Sequence, residues 1–325
     1  MLQDNEPEPF KDPSRTPPPK SFRMCVEQAY LSAKQAIEDG HKLIEIEFPP
    51  LPQSAMDNEA IGADTILKAQ IQHSTDFAKL FKNKKTAIVF ADIVERNRFI
   101  DDETSSNPQS WRGNIRFTAL KGGFKGSLIE RVWINKDFVS EVQEDDDMFI
   151  IIGASAQELP DVRELCKAAG DRPVILFNLK LQVLRGDFGL PFFPSKSLHN
   201  DWLCEALPAY FMLPKSYTKT IAGPPFLINY SGALFRTYPG KWQMLLEVPD
   251  EDGGGRYQRV RMLDKRPALS DVREELAKEL QLDGLDGEEG QEIFGLNLKQ
   301  LRNGVVVKTW WEKDLDDAKS DKWRS

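Results

Sequence analysis

The sequence predicts an α/β fold of three layers: a mostly parallel central sheet, helices on both of its faces, and an antiparallel C-terminal extension. Three apolar runs without alternation, at 86–91, 148–153 and 173–177, indicate strands buried on both faces, as in a parallel sheet between helices. Residues 242–248 and 257–262 instead alternate apolar and polar positions on either side of a glycine-rich turn, which indicates antiparallel strands.

The N-terminal stretch is acidic and rich in proline, which fixes φ and removes a backbone donor. We therefore predict a disordered arm over residues 1–20. Ser21 is a suitable N-cap for the helix that follows. Apolar residues recur at helical spacing from Phe22 to Ile37, and Gly40 stands where a helix often ends.

A strand is predicted at 42–48, where charged and apolar side chains alternate. Glu45 and Glu47 share one face of it, so we place this strand near a sheet edge with one face in water. Paired carboxylates can perform acid–base catalysis, but on an edge strand they also discourage aggregation, and we favour this second role. Helical spacing predicts the next helix over 57–81.

The most clearly defined unit is a βαβ segment over 148–181, whose crossover should be right-handed. Its first strand ends at Gly153. Ser155 and Glu158 have the spacing of a capping box, which places the start of a helix at Ser155. Gly170 marks the end of that helix, just before the next apolar run.

Further along, the chain becomes rich in aromatic residues and proline, and we predict a helix over 198–211 and another that starts at Ser270. The following segment is acidic and glycine-rich, and it ends in a tryptophan-rich tail. The chain therefore divides into the arm over 1–20, one α/β domain over 21–281 and a C-terminal extension over 282–325.

The charge balance and the cysteine content exclude several classes of protein. Lys and Arg number 43 against 51 Asp and Glu, a net charge of −8, which argues against a general nucleic-acid binder. Three widely spaced cysteines form neither a disulfide scaffold nor a CxxC site, and we expect Cys204 to be the most exposed. No apolar run approaches the roughly 20 residues of a spanning helix, so membrane association should be peripheral.

No motif for catalysis or for a cofactor is present, so we predict neither an enzyme activity nor a bound cofactor. The chain lacks GxGxxG and the phosphate-binding P-loop pattern. The turn at Gly153 resembles a nucleophile elbow, but Gln157 stands where the second glycine belongs. The scattered histidines and cysteines argue against a metal site. The helix start after Gly153 could still bind an anion through free N–H groups, with Gly153 and Ser155 as that site.

Two aromatic clusters in irregular segments are typical of binding surfaces. Each could instead fold back onto the domain as a lid, and for the second cluster the strand-like run before it favours folding back. The predicted partner-binding residues are Phe188, Phe192, Phe193 and Trp202 in the first cluster and Trp310 and Trp311 in the second.

Several segments in this order are similar to the DUF1995 family of plants and cyanobacteria: IEIEFP at 44–49, TAIVFAD at 86–92, the βαβ unit at 148–181, and GALFRTYPGKWQMLLEV at 232–248. The resemblance implies a chloroplast stromal protein, partly thylakoid-associated, that assists photosystem II assembly without catalysing a reaction. The partners it implies are the core antenna subunit CP43, the membrane insertase and a second assembly factor. The acidic N-terminus would then belong to a mature form without its transit peptide. No catalytic residues are established for this family, so the resemblance assigns none to this chain.

The sequence therefore supports two functional hypotheses. The first is an auxiliary factor that binds protein partners of photosystem II at the thylakoid surface. The alternative is an unrecognised enzyme or small-molecule sensor with an anionic ligand at the turn after Gly153. A deep polar pocket at the carboxyl ends of the parallel strands would favour the alternative, whereas exposed aromatic side chains would favour the first.

Overall fold

The structure is a computed structural model that describes residues 7–8, 10–56, 61–106, 113–120, 142–221, 223–250, 255–282, 292–293, 296–297 and 309–325. Its centre is a nine-stranded sheet. The strands are β1 (Leu43–Glu47), β2 (Thr86–Phe90), β3 (Ile115–Ala119), β4 (Met148–Ile152), β5 (Val174–Phe177), β6 (Leu207–Thr220), β7 (Leu227–Thr237), β8 (Trp242–Pro249) and β9 (Gly255–Leu263).

The sheet has the order β3-β2-β4-β5-β1-β6-β7-β8-β9. Neighbours from β3 to β6 pair in parallel, whereas those from β6 to β9 are antiparallel. A small antiparallel pair, β10 (Glu292–Ile293) and β11 (Leu296–Asn297), lies outside this sheet. The predicted fold class, mostly parallel with an antiparallel C-terminal extension, is confirmed.

Helices pack on both faces of the parallel half. In β4, Ile150 and Ile152 belong to the core cluster that includes the first and third helices, whereas Phe149 and Ile151 belong to the opposite one. Both faces are covered, and that is why the run carries no polar position. The helices are α1 (Phe22–Glu38), α2 (Gln53–Met56), α3 (Ala63–Leu80), α4 (Ile93–Ser106), α5 (Leu159–Ala169), α6 (Leu181–Asp187), α7 (Ser197–Asp201), α8 (Leu269–Glu279) and α9 (Trp310–Lys313).

Local capping signals predict some helix ends well and others poorly. Ser21 caps α1, because its Oγ accepts a hydrogen bond from Met24 N–H at 3.2 Å. In contrast, α5 begins at Leu159 rather than at Ser155, and Glu158 stands at its N-cap position. The third helix begins at Ala63 within the stretch predicted as helical.

Strand β1 is central, so its predicted place near a sheet edge is wrong. It pairs in parallel with β5 on one side and with β6 on the other, and all five of its residues are buried. Glu45 and Glu47 are only 1% and 6% exposed. Both pairing partners lie more than a hundred residues away, at 174–177 and 207–211, so the local alternation of charge could not indicate this burial.

Part of the proline-rich arm, which the sequence predicts to be disordered over 1–20, contacts the domain in the structure. Pro13, Ser14 and Thr16 lie beside the turn between β7 and β8. Proline has no N–H but keeps its carbonyl, and Pro13 O accepts from Thr237 Oγ1 at 2.8 Å, while Pro17 O accepts from Gln28 Nε2 at 3.0 Å. Residues 13–17 therefore pack on the folded domain.

The predicted helix over 198–211 is also wrong. The chain forms the short helix α7, a 3₁₀ turn at Leu203–Glu205, and then the long strand β6. A short apolar run such as 207–213 fits a buried strand as well as a buried helix, and here pairing with β1 and β7 decides for the strand.

Candidate functional site

The loop between α6 and α7 carries the most exposed aromatic side chain in the described part of the chain. Phe192 is 77% exposed, Leu190 is 51% exposed and Phe193 is 36% exposed. Val183, on α6 just before the loop, is also 65% exposed. We call residues 189–194 the aromatic loop, and it presents apolar side chains to solvent.

Hydrogen bonds close the aromatic loop on itself. Gly189 N–H donates to Pro194 O at 2.8 Å, and Phe193 N–H donates to Leu190 O at 3.1 Å. Gly189 and Phe192 both have positive φ, +83° and +71°. For a phenylalanine this left-handed conformation costs about 1–2 kcal/mol. The other interactions of the loop must offset this cost. The backbone that carries the exposed ring is therefore held in a defined conformation.

The other predicted partner-binding residues are less accessible. Phe188 is 2% exposed and packs in the core below the loop, while Trp202 is half-buried against the same core. In the C-terminal segment, Trp311 is 6% exposed, and half-buried Trp310 donates its indole N–H to Arg185 O at 2.8 Å. Of the six aromatic side chains, only Phe192 and Phe193 are therefore exposed enough for direct contact with a partner.

Residues 309–325, which we call the C-terminal segment, fold back onto the domain. Trp311 and Trp323 form a buried cluster with Cys204. The expectation that Cys204 is the most exposed cysteine is therefore wrong, because this segment covers it and its side chain is fully buried. The acidic stretch at 283–291 lies outside the described residues.

The turn after Gly153, the alternative anion site, is acidic. Ser155 N–H donates to Glu158 Oε2 at 2.9 Å, so the donor that an anion would use is already occupied. Burial, followed by the carboxylates of Asp92 and Glu158, raises the pKa of Glu95, whose Oε2 lies near Gly153. Three carboxyl groups close to one another repel an anion, so the electrostatics of this turn oppose the alternative.

A second polar feature lies beneath the C-terminal segment, and the chain buries it almost completely. We call Glu45, Glu47, Arg185, His199 and Arg266 the buried charged cluster; none of these residues is more than 6% exposed. Arg185 Nε donates to His199 Nδ1 at 3.3 Å, and Arg266 Nη2 donates to Gln182 Oε1 at 2.7 Å. Arg266 also lies 4.3 Å above the ring of Phe211.

Burial shifts the pKa values in this cluster strongly. Burial, reinforced by the neighbouring Glu45, raises the pKa of Glu47 to about 8, so this carboxyl group is protonated at neutral pH. Burial and then Arg185 lower the pKa of His199 to about 3, so its imidazole is neutral. Burial lowers the pKa of Arg185 to about 10, which still leaves its guanidinium charged.

The sequence singles out Glu45 and Glu47 of this cluster, but for a different role, and His199 has no recognisable sequence context. Arg185, His199 and Arg266 come from three separate segments that pack under the C-terminal segment, and no motif or spacing joins them. Among the described residues, no group of three His, Cys, Asp or Glu side chains is placed to hold a metal ion. In the same ranges, no helix is both long and apolar enough to cross a membrane.

Most of the chain matches a known protein family. Residues 19–274 match the family described as Domain of unknown function (DUF1995). The match includes the aromatic loop and every residue of the buried charged cluster, and it ends before the C-terminal segment begins. No solved structure matches the chain.

Proposed function

We propose, from the premise that this chain belongs to the DUF1995 family, that it is a non-enzymatic auxiliary factor in photosystem II assembly. In this proposal the protein works in the chloroplast stroma and at the thylakoid surface as a peripheral protein. Its proposed partners are the core antenna subunit CP43, the membrane insertase and a second assembly factor. It holds these partners by protein–protein contact.

The observation that carries this proposal is the aromatic loop. An exposed phenylalanine in a strained, hydrogen-bonded loop has no role in the packing of this domain, since its ring is 77% exposed. Backbone strain at an exposed side chain is typical of binding sites, because a loop that already has its bound conformation loses little conformational entropy when a partner covers it. Aromatic anchors of this kind supply much of the binding energy at protein interfaces.

The experiment is capture of partners from solubilised thylakoid extract with the purified protein and with Phe192→Ala and Phe193→Ala combined. We expect the double variant to capture CP43 at least tenfold less efficiently, as the loss of a central aromatic anchor requires. The variant should keep its thermal stability, because both rings are exposed in the folded protein.

Phe226→Ala is a matched control. Phe226 is also an exposed phenylalanine, at 55%, with a positive φ of +65°, but it lies in the turn between β6 and β7. We expect it to capture CP43 as the unchanged protein does. Equal capture by the double variant and by Phe226→Ala would remove the aromatic loop from the interface.

A further inference from the structure

The aromatic loop has few backbone donors with which to hold its own shape. Pro191 and Pro194 have no N–H, so only four of the six residues at 189–194 can donate a backbone hydrogen bond. Gly189, Leu190 and Phe193 use theirs in local hydrogen bonds of 2.8, 3.2 and 3.1 Å. Because the loop also contains two residues with positive φ, contacts at its two ends must help to hold it.

The first end of the loop is held at the carbonyl group of Arg185, in the last turn of α6. Arg185 O accepts a hydrogen bond from Phe188 N–H at 3.3 Å. The same oxygen accepts the indole N–H of Trp310 at 2.8 Å. The last carbonyl groups of a helix lack partners within the helix, so Trp310 supplies one of them here. One oxygen atom thus joins α6, the residue before the loop and the C-terminal segment.

The second end of the loop is held by the side chain of Lys196. Its aliphatic part lies beside the loop, since a Cβ atom added at Gly189 would be only 3.3 Å from Lys196 Cγ. Its Nζ lies 4.9 Å from the centre of the Trp310 ring and 3.5 Å from Asp314 Oδ2. This side chain therefore connects the loop with the same tryptophan that is bonded to Arg185.

The position of Trp310 is set by the C-terminal segment and by the core. At the start of α9, Thr309 N–H donates to Glu312 Oε2 at 2.9 Å. The Trp310 ring meets the ring of His199 edge-on, with 5.7 Å between their centres, and that of Trp311 in the same way at 5.5 Å. Neither interaction involves the aromatic loop, so the loop follows the place that these contacts give to Trp310.

We propose that Trp310 is a positioning residue for the aromatic loop. Through Arg185 at one end and Lys196 at the other, it keeps the loop in the conformation that presents Phe192 and Phe193 to a partner. We rest this inference on the proposed function, in which these two rings contact the partner. The C-terminal segment then determines whether the binding site is ready.

The contacts of the C-terminal segment allow this role to be separated from its anchoring. Trp311 and Trp323 are buried with Cys204 and anchor the segment on the domain. The ion pairs of the segment, in contrast, join largely exposed side chains: Lys196–Asp314, Lys265–Asp321, Lys319–Asp201 and Lys322–Glu205. Exposed pairs stabilise little. A change at half-buried Trp310 therefore removes the link to the loop and leaves both buried anchors in place.

The test is amide hydrogen–deuterium exchange of the full chain, followed by NMR at Gly189 and Phe193 of the loop. The reference is the amide of Ile150 in β4, whose side chain is fully buried. Trp310→Phe keeps a ring but removes the indole donor, and Trp310→Ala removes both. We expect exchange at the loop amides to become about threefold faster in the first variant and about tenfold faster in the second, as loss of a single hydrogen bond and of the further ring contacts implies.

Asp321→Ala is the matched control. It removes an exposed ion pair with Lys265, of 2.8 Å, from the same segment but from a place without contact to the loop. We expect it to leave exchange at both loop amides unchanged. Exchange at Ile150 should stay the same in all three variants, because positioning of the loop does not alter the stability of the sheet, whereas a general loss of stability would raise it.

Capture of CP43 from solubilised thylakoid extract separates this inference from the proposed function. We expect Trp310→Ala to capture less CP43 than the unchanged protein, although Phe192 and Phe193 are both present. Selectively faster exchange in the loop supports positioning by Trp310 even if CP43 capture proves independent of those two rings. Unchanged exchange at the loop amides in both Trp310 variants, or an equal rise at Ile150, would overturn the inference, and Trp310 would then only pack the C-terminal segment.

Discussion

Glu45 and Arg266 form an ion pair in the interior of the protein, with 3.7 Å between Oε2 and Nη1 and with side chains only 1% and 5% exposed. They come from a central strand and from the segment that follows β9, so the pair joins the two halves of the sheet. Desolvation offsets much of the attraction in a buried ion pair, so the pair itself adds little net stability. Removal of one partner is nevertheless costly, because the other charge then stays buried without a counter-charge.

Removal of the Glu45 carboxylate should destabilise the protein strongly. Glu45→Ala leaves Arg266 and Arg185 without their nearest negative charge, and breaking a buried pair in this way costs about 3–5 kcal/mol. Urea denaturation at pH 7 measures the loss. The control, Glu274→Ala, removes an exposed carboxylate from α8 and should change the free energy of unfolding by less than about 0.5 kcal/mol. Equal effects of the two variants would contradict the burial of Glu45.

Glu47 should make the folded protein less stable as the pH rises. Its pKa is about 8 in the folded state and near its ordinary value, 4.5, in the unfolded chain. The folded state therefore binds more protons between these values, and its stability falls by up to about 1.4 kcal/mol per pH unit as the pH rises through that window. Above pH 8 this contribution is lost.

Glu47→Gln tests this pH dependence, because the amide oxygen can still accept from Lys180 N–H, as Glu47 Oε2 does at 2.9 Å. His199, with its lowered pKa, makes an opposite contribution below its ordinary value of 6.5. The comparison is therefore made between pH 6.5 and 8, by urea denaturation. We expect the decline in stability across this interval to be much smaller in Glu47→Gln. An unchanged slope would show that Glu47 does not titrate there.

Gly240 should be intolerant of any side chain. A Cβ atom at this position would lie 2.5 Å from the carbonyl carbon of Pro13, which belongs to the packed arm. We expect Gly240→Ala to displace the arm and to increase the rate of trypsin cleavage after Arg15 at least several-fold. In Gly113→Ala, where the added Cβ meets nothing within 4 Å, the rate should stay the same. Cleavage of Gly240→Ala at the rate of the unchanged protein would contradict the prediction that a side chain at this position displaces the arm.

Phe192→Gly should separate stability from binding. Glycine adopts positive φ without steric cost, so the substitution relieves the strain at this position. This gain offsets the greater freedom of glycine in the unfolded chain, and the free energy of unfolding should stay within about 1 kcal/mol of that of the unchanged protein. Phe192→Ala keeps most of the strain and should be the less stable of the two by thermal denaturation. Capture of CP43 should fall in both, since both lose the ring. If Phe192→Gly captures its partner fully, the ring is not the anchor.

The sequence by itself predicted the features that depend on local chemistry. Uninterrupted apolar runs such as 148–152 indicated strands covered on both faces, and Ser21 marked a helix start, because hydrophobic periodicity and a side-chain cap act over a few residues. The exposed ring of Phe192 was also among the residues selected from sequence, as an aromatic position in an irregular segment.

Only the tertiary structure decided where charge and solvent lie. Glu45 lies in a strand whose local alternation of charged and apolar residues predicts one exposed face. The strand is buried because it pairs with β5 and β6, which lie far along the chain. Arg185 and Arg266 meet it because separate segments pack on one face of the sheet, and Trp311 leaves the surface because the C-terminal segment folds back. Burial and electrostatic fields are sums over the whole fold, so no local pattern contains them.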